Sequence, residues 1–375
     1  MAKFFPYASP KSKNLVTFVL MSKRIFFIVP YPKNEAPSQR FRFEQYIPFL
    51  EKNGYSVEIH PFYNYETWQT LYHQGKTFRK AMGVIISFLR RFSLLFKLKK
   101  ADYLFIHREA AHVGPPIFEW IIAKVLRRRY IYDFDDAIWL PNYSDTNARY
   151  HRLKAYWKVN YCMKWAYRIS AGNEYLASYA KQFNGHVTII PTTIDTTYHS
   201  ITCDHEQSKP VIGWTGTHTT MRYLDELIPI LKELEKEHEF TFLVISNEKP
   251  DYDLDSLQFI KWKKETEIED LARITIGVMP LQHDIWSEGK CGFKGLQYMA
   301  LEIASIMSPV GVNTSIIHDG QNGFLAGSPE EWKEKLEIVL KDKELRKKLG
   351  TAGRQTIIER FSVEANKERY LKLFT

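Results

Sequence analysis

The chain has 375 residues, 45% of them hydrophobic and 25% charged, with a formal net charge of +9. That length exceeds what one hydrophobic core usually serves, so two domains are expected, and an aromatic content of 15% excludes a disordered chain. The positive balance points to anionic partners: a phosphorylated ligand, a membrane surface or nucleic acid. Three cysteines, Cys162, Cys203 and Cys291, lie far apart and without metal-ligand spacing. That spacing excludes a disulfide framework and a structural zinc, and it fits a reducing, cytoplasmic compartment. The longest uncharged apolar runs, 15–21 and 81–89, fall well short of the ~20 residues that span a bilayer.

In chain order, residues 1–20 are expected to be a loose extension, because Met21-Ser22-Lys23-Arg24 leads directly into the apolar run 24–31. Such a run is the pattern of a strand buried on both faces. A polar loop, 32–42, is predicted next, then a helix over 43–53 stopped by Gly54. Strands are predicted at 56–62, 103–107, 130–133, 168–171 and 187–191, with helices between. This alternation implies a parallel sheet. Residues 196–209 are polar and irregular and are assigned as a linker. The pattern then restarts with a strand at 211–214, a helix at 223–237, and strands at 240–246, 259–261, 276–280 and 303–308. A helix over 292–301 precedes the last of these.

The predicted fold class is therefore α/β, two tandem Rossmann-like domains facing across a cleft. The expected boundaries are 21–195 for the first domain, 210–355 for the second, and 356–375 for a C-terminal helix that packs back on the first. Val363, Tyr370, Leu371 and Phe374 supply apolar positions for that return.

Four stretches carry candidate chemistry. The segment Gly289-Lys290-Cys291-Gly292-Phe293-Lys294-Gly295-Leu296-Gln297 enters the 292–301 helix. Its Lys290, Lys294 and Gln297 share roughly one helical face. Lysines at a helix start face the positive end of the dipole, which makes sense if an anion docks there; the alternative is a solvated basic turn. The segment Gly213-Trp214-Thr215-Gly216-Thr217 lies between a strand and a helix, where glycines admit a ligand and threonines hold phosphates. It is neither a dinucleotide nor a Walker fingerprint, and alone it also reads as a helix-capping loop.

In the first half, Asp133-Phe134-Asp135-Asp136 places three carboxylates in four residues. Close carboxylates repel unless partnered. The readings are a functional acid cluster, a helix cap, a bridge to Arg127, Arg128 and Arg129, or a D-x-D cation site. Arg40 and Arg42, after the first strand, are positioned for an anionic acceptor group or for solvent. Finally, residues 76–100 carry eight basic and no acidic side chains. Ile85, Phe88, Leu89, Phe92, Leu95 and Phe96 fall on one helical stripe there, with Arg90, Arg91 and Lys97 off it. That pattern suits an anionic membrane surface or a core helix with a charged back. His107 and His112 stand near predicted strand ends without metal spacing. No nucleic-acid-binding motif is present.

These residues resemble the family 4 (group 1) glycosyltransferases of the GT-B fold, over nearly everything from Lys23 to Phe374. The resemblance implies a second domain that holds a nucleotide-sugar through a glycine loop and a Glu-x7-Glu segment. Here the segment ending Gln297-Tyr298-Met299-Ala300 occupies that place, followed by Pro309-Val310-Gly311 and Asp319-Gly320-Gln321-Asn322-Gly323. The departures are specific. Gln297 stands where the family has its second glutamate, Gly289 where it has the first, and Trp214 and Thr219 lie where an arginine and a lysine are usual.

The resemblance implies a retaining, metal-independent transfer with no cofactor beyond the nucleoside diphosphate sugar, to a glycan or lipid-linked acceptor in cell-surface polysaccharide synthesis. Donor binding is expected from Gly213, Thr215, Gly216, Thr217, Lys290, Phe293, Lys294 and Gln297, acceptor binding from Arg40 and Arg42, and catalysis from Asp135, Asp136 and Lys294. Cytoplasmic placement, peripheral at the inner face of the membrane, is expected. The alternatives are a metal-dependent GT-A enzyme using Asp133 and Asp135, a sugar-nucleotide epimerase, and a non-catalytic nucleotide-sugar- or membrane-binding subunit.

Overall fold

The computed structural model describes residues 22–72, 75, 77–141 and 151–375. The expected extension over 1–20 lies outside the described residues. Two six-stranded sheets carry the chain, and every strand pairs in parallel.

The first sheet contains β1 (Lys23–Val29), β2 (Tyr55–Pro61), β3 (Tyr103–His107), β4 (Tyr130–Phe134), β5 (Arg168–Ala171) and β6 (Val187–Ile189). Its order is β2-β1-β3-β4-β5-β6. Five consecutive residues of β1 are buried, as its unbroken apolar run requires, and all five of β4 are buried as well, the charged Asp133 among them. The second sheet contains β7 (Val211–Gly216), β8 (Thr241–Ser246), β9 (Leu257–Lys261), β10 (Ile276–Met279), β11 (Ala304–Met307) and β12 (Phe324–Leu325), in the order β12-β11-β10-β7-β8-β9. Each order reverses once, between β1 and β3 and between β7 and β10. In doubly wound sheets ligands bind outside the strand carboxyl ends at such a reversal.

Local chemistry accounts for the departures from the predicted elements. The 32–42 loop contains a short helix, Pro37–Arg40, begun by a proline whose fixed φ suits a first helical position. The buried Gln39 side chain ties this loop to Tyr31 through both its oxygen and its nitrogen. The helix predicted over 223–237 is broken, because Pro229 cannot donate to a preceding turn; regular α-helix restarts at Ile228–Leu234. The helix predicted at 292–301 spans Phe293–Ala300. The 196–209 segment is irregular but not detached. Cys203 donates its N–H to the Leu301 carbonyl, and His205 Nε2 lies 2.9 Å from the Glu302 carbonyl.

After helices Pro329–Lys341 and Lys343–Thr356, the chain crosses to the first domain. Val363–Leu371 lays Tyr370 flat on Tyr46 with ring centroids 4.1 Å apart. Leu373 and Phe374 join the buried cluster of Ile25, Phe27 and Phe105. All three cysteines are free and buried.

Candidate active site

At the carboxyl edge of the first sheet, charged groups are arranged in closed networks. Arg42 is 1% exposed and binds Asp133 at 2.5 Å; it also donates to the Ser170 hydroxyl and the Ile190 carbonyl. Asp133 accepts from Ser170 at 2.7 Å and faces His107 Nδ1 at 2.8 Å. Burial alone would raise the Asp133 pKa, but Arg42 and His107 overcome it and hold the carboxyl well below its ordinary value. One layer outward, Arg108 Nε donates to Asp135 at 2.7 Å and its Nη2 to Asp136 at 2.6 Å. Arg108 adopts φ +59°, a left-handed backbone that a non-glycine residue keeps only when its surroundings enforce it. Beside it, Glu109 is held ionised by Lys158 at 2.8 Å and His112 at 2.7 Å.

The carboxyl edge of the second sheet differs. The Phe293–Ala300 helix begins at Gly292, which has φ +68° and whose Cβ would collide with Ile316, so only glycine fits the turn. Lys294 lies along this helix with its ammonium 5.4 Å from the Trp214 ring centroid. Burial and then the neighbouring Lys290 push it down to about 7, with Asp136 opposing weakly. Gln297 is 2% exposed, and its amide nitrogen has no acceptor among the described residues.

These two edges meet. Lys290 Nζ lies 3.8 Å from Asp136 Oδ1. Asn173 donates to the carbonyls of Gly289 at 3.3 Å and Lys290 at 3.1 Å. The buried Cys291 thiol, pushed up to about 12 chiefly by burial, donates to the Asp135 carbonyl at 3.1 Å. A Cβ on Gly172 would fall 2.5 Å from Cys291 Sγ, and one on Gly289 would fall 2.7 Å from Ala137 Cβ. The glycines thus set how closely the domains approach. Arg40 adds a buried interdomain ion pair with Glu267 at 2.5 Å.

The fold therefore brings Asp135, Asp136, Lys290 and Lys294 to one junction, with Gln297 further along the same helix as Lys294, and removes several expected residues from it. Arg42 is a core residue neutralised by Asp133 and offers no surface to an acceptor. Arg40 is spent on Glu267. Gly213 lies inside β7 opposite Gly277, and its missing side chain makes room for Ile274. Thr215 and Gly216 end that strand instead of forming a loop. Thr215 donates its N–H to the Tyr298 hydroxyl at 3.0 Å, and the space over Gly216 is filled by Trp214. Thr217 remains exposed, with its hydroxyl 2.9 Å from that of Thr219. Phe293 turns one face to Phe41 across the domain boundary, at 4.3 Å between centroids. The D-x-D reading fails because the Asp133 carboxylate is occupied by Arg42, His107 and Ser170. The partner of Asp135 and Asp136 is Arg108, not the 127–129 arginines. Sequence reasoning missed Arg108, Asn173 and Cys291; only the sequence position of Arg108, one residue past a predicted strand, was a signal.

Residues 204–356 match the family model described as glycosyl transferases group 1. The matched stretch runs over the second domain and into the helices that follow it. No curated protein matches the chain. Among solved structures, a sucrose-phosphate synthase from Thermosynechococcus elongatus superposes with a TM-score of 0.69 at 12% identity, covering 94% of this chain and 98% of that one. A glycosyltransferase from Rickettsia africae gives 0.65 at 13%, covering 94% and 98%. Anabaena HepE in complex with UDP and glucose gives 0.64 at 13%, covering 94% and 99%. These likenesses establish the GT-B arrangement of two parallel-sheet α/β domains. A single-sheet GT-A architecture is thereby overturned.

Proposed function

We propose that this protein transfers a sugar from a nucleoside diphosphate sugar to an acceptor hydroxyl, in the junction between its two domains. The observation that carries the reading is the juxtaposition of Lys290 and Asp136 across the domain boundary, beside the Lys294 ammonium and the unpartnered Gln297 amide. The junction lies at the strand-order reversal of the second sheet, beside the start of the Phe293–Ala300 helix. The match of that domain to the group 1 glycosyltransferase model supports a nucleotide-sugar donor, and the UDP and glucose bound to HepE agree with it.

In this reading, Lys294 and Lys290 take up the negative charge that develops on the diphosphate as the glycosidic bond breaks. Gln297 donates its amide hydrogen to a ribose hydroxyl, satisfying a buried group that otherwise costs about 1–3 kcal/mol. Asp135 and Asp136 face the acceptor, held in place by Arg108, and one of them orients or deprotonates its hydroxyl. No step draws on a metal ion: Lys290 and Lys294, the latter charged once the diphosphate is bound, supply the positive charge. Retention of the anomeric configuration and a glycan or lipid-linked acceptor in cell-surface polysaccharide synthesis, at the cytoplasmic face of the membrane, complete the proposal.

The test is thermal-shift titration with UDP-, GDP-, ADP- and dTDP-sugars, with and without EDTA, on wild type and Lys294→Met, followed by product analysis with candidate acceptors. A donor that stabilises the wild type regardless of EDTA and fails on the variant is expected. Stabilisation confined to added Mn²⁺ would sink the metal-independent reading. Binding without hydrolysis or transfer would turn the assignment toward a non-catalytic subunit, and turnover without an acceptor toward an epimerase.

A further inference from the structure

The Thr77–Leu95 helix is inside out. Its buried residues are Gly83, Ser87, Arg91 and Leu94, spaced along a single face. Gly83 lets the helix approach Thr67. Arg91 donates to the Val29 carbonyl at 3.0 Å and the His60 carbonyl at 2.9 Å, at the carboxyl ends of β1 and β2. The opposite face is apolar and open: Phe78 is 77% exposed, Leu89 63%, and Phe96 just past the end 83%, with Met82, Ile85 and Ile86 between them also exposed. The predicted stripe is thus divided, with Phe88 and Leu95 turned partly toward the core and the rest facing outward. A globular helix normally shows the reverse pattern.

The open face continues sideways. Phe118 packs on Phe88 and Phe92, at 5.9 and 4.8 Å between centroids, and brings the Ile117–Trp120 helix alongside. There Ile117 and Trp120 are exposed, followed by Val125 and Leu126. Arg79, Arg90 and Lys97 line one rim by helical position, while Lys124, Arg127 and Arg129 follow the far end. No acidic residue occurs between positions 76 and 101. Among the described residues no helix is long and apolar enough to cross a membrane.

We infer that this face seats the protein on an anionic lipid bilayer, with the apolar ridge in the acyl boundary and the basic rim on the headgroups. A contiguous exposed apolar surface of this kind marks an interaction site, and apolar plus cationic character is what an interfacial helix uses. A second copy is the poorer occupant, because a two-fold contact would set like-charged rims against each other. Arg91 anchors the helix to the same sheet edge that carries Arg108 and Asp135. A bilayer here therefore lies beside the acceptor side of the junction.

The full chain should sediment with phosphatidylcholine vesicles containing phosphatidylglycerol, and weakly with phosphatidylcholine alone or at high salt. Leu89→Ser with Phe96→Ser should lower the bound fraction about tenfold, and Arg90→Ser with Lys97→Ser about fivefold. Melting temperature and donor-induced thermal shift should remain those of the wild type, because these side chains are exposed and outside the junction. No sedimentation of the wild type, or equal sedimentation of the variants, would overturn the inference. A solution dimer that Leu89→Ser with Phe96→Ser dissolves would overturn it too, assigning the face to a second copy. A loss of donor binding by Lys294→Met with vesicle binding intact would separate this inference from the transfer reading.

Discussion

The charged groups at the carboxyl edge of the first sheet neutralise one another, whereas those of the second sheet do not. Arg42, Asp133, His107 and Ser170 form a buried set in which Asp133 meets three partners. Arg108 is shared between Asp135 and Asp136, which unlike Asp133 stay partly exposed and so keep a side open to the junction. Across the junction, Lys294 is half-buried against Trp214 with a second lysine nearby, and Gln297 holds an amide that donates to nothing among the described residues. A buried polar group with complete partners belongs to the architecture; one without them is an energetic debt that a ligand can settle. The comparison separates residues of similar type. Arg42 is a buried and Lys294 a half-buried cation, both near strand ends, yet of the two only Lys294 lacks a close carboxylate.

If that division is right, breaking the first network should cost stability and breaking the second set should cost binding. The largest effect is expected from Asp133→Ala, which strands the Arg42 guanidinium in the core and should destabilise by about 3–5 kcal/mol in urea denaturation. A loss below ~1 kcal/mol would show that Arg42 finds water, and the contrast between the edges would dissolve.

Lys294→Met should weaken donor affinity by about 2 kcal/mol, roughly thirtyfold, with melting temperature unchanged or raised. Titration calorimetry against the stabilising donor checks it. Equal affinity would remove Lys294 from the site.

The same lysine gives a pH dependence. Its free pKa of about 7 is depressed by burial and Lys290, and a bound diphosphate must raise it. Donor affinity should therefore be full below pH 7 and fall as pH rises through 7 toward the pKa of the complex. The fall approaches tenfold per pH unit at most. Lys294→Met should flatten this profile, and a sloping profile in the variant would assign the titration elsewhere.

The smallest effect sharpens the comparison most. Gln297→Leu deletes a buried donor that has no acceptor, so stability should hold or rise by up to about 1 kcal/mol, while donor affinity falls about tenfold. Loss of stability would mean that the amide is already satisfied in the free protein, and Gln297 would move to the architectural side.

Much of this molecule was legible in the chain. The apolar run of β1 marked a strand buried on both faces, and the alternation of short strands with helices in each half of the chain determined two parallel sheets. Lys290, Lys294 and Gln297 were visible together because their spacing of four and three projects them onto roughly one helical face. The return of Tyr370 and Phe374 to the first domain was legible as apolar positions on an otherwise charged tail.

Side-chain partnership was not legible. The sequence presented Arg40 and Arg42 as equals two residues apart, and only the tertiary structure sent one to Glu267 and the other to Asp133. It presented Gly213 and Gly216 as one loop, and the length of β7 put Gly213 in the sheet under Ile274. It marked residues 76–100 as amphipathic without saying which face turns inward. That choice fell to Arg91, whose guanidinium reaches two strand-end carbonyls, and to Gly83, which allows close approach. Periodicity depends on the local backbone and can be read from spacing. Which charge meets which, and which face is covered, depend on contacts between residues far apart in the chain, and those exist only once the sheets are assembled.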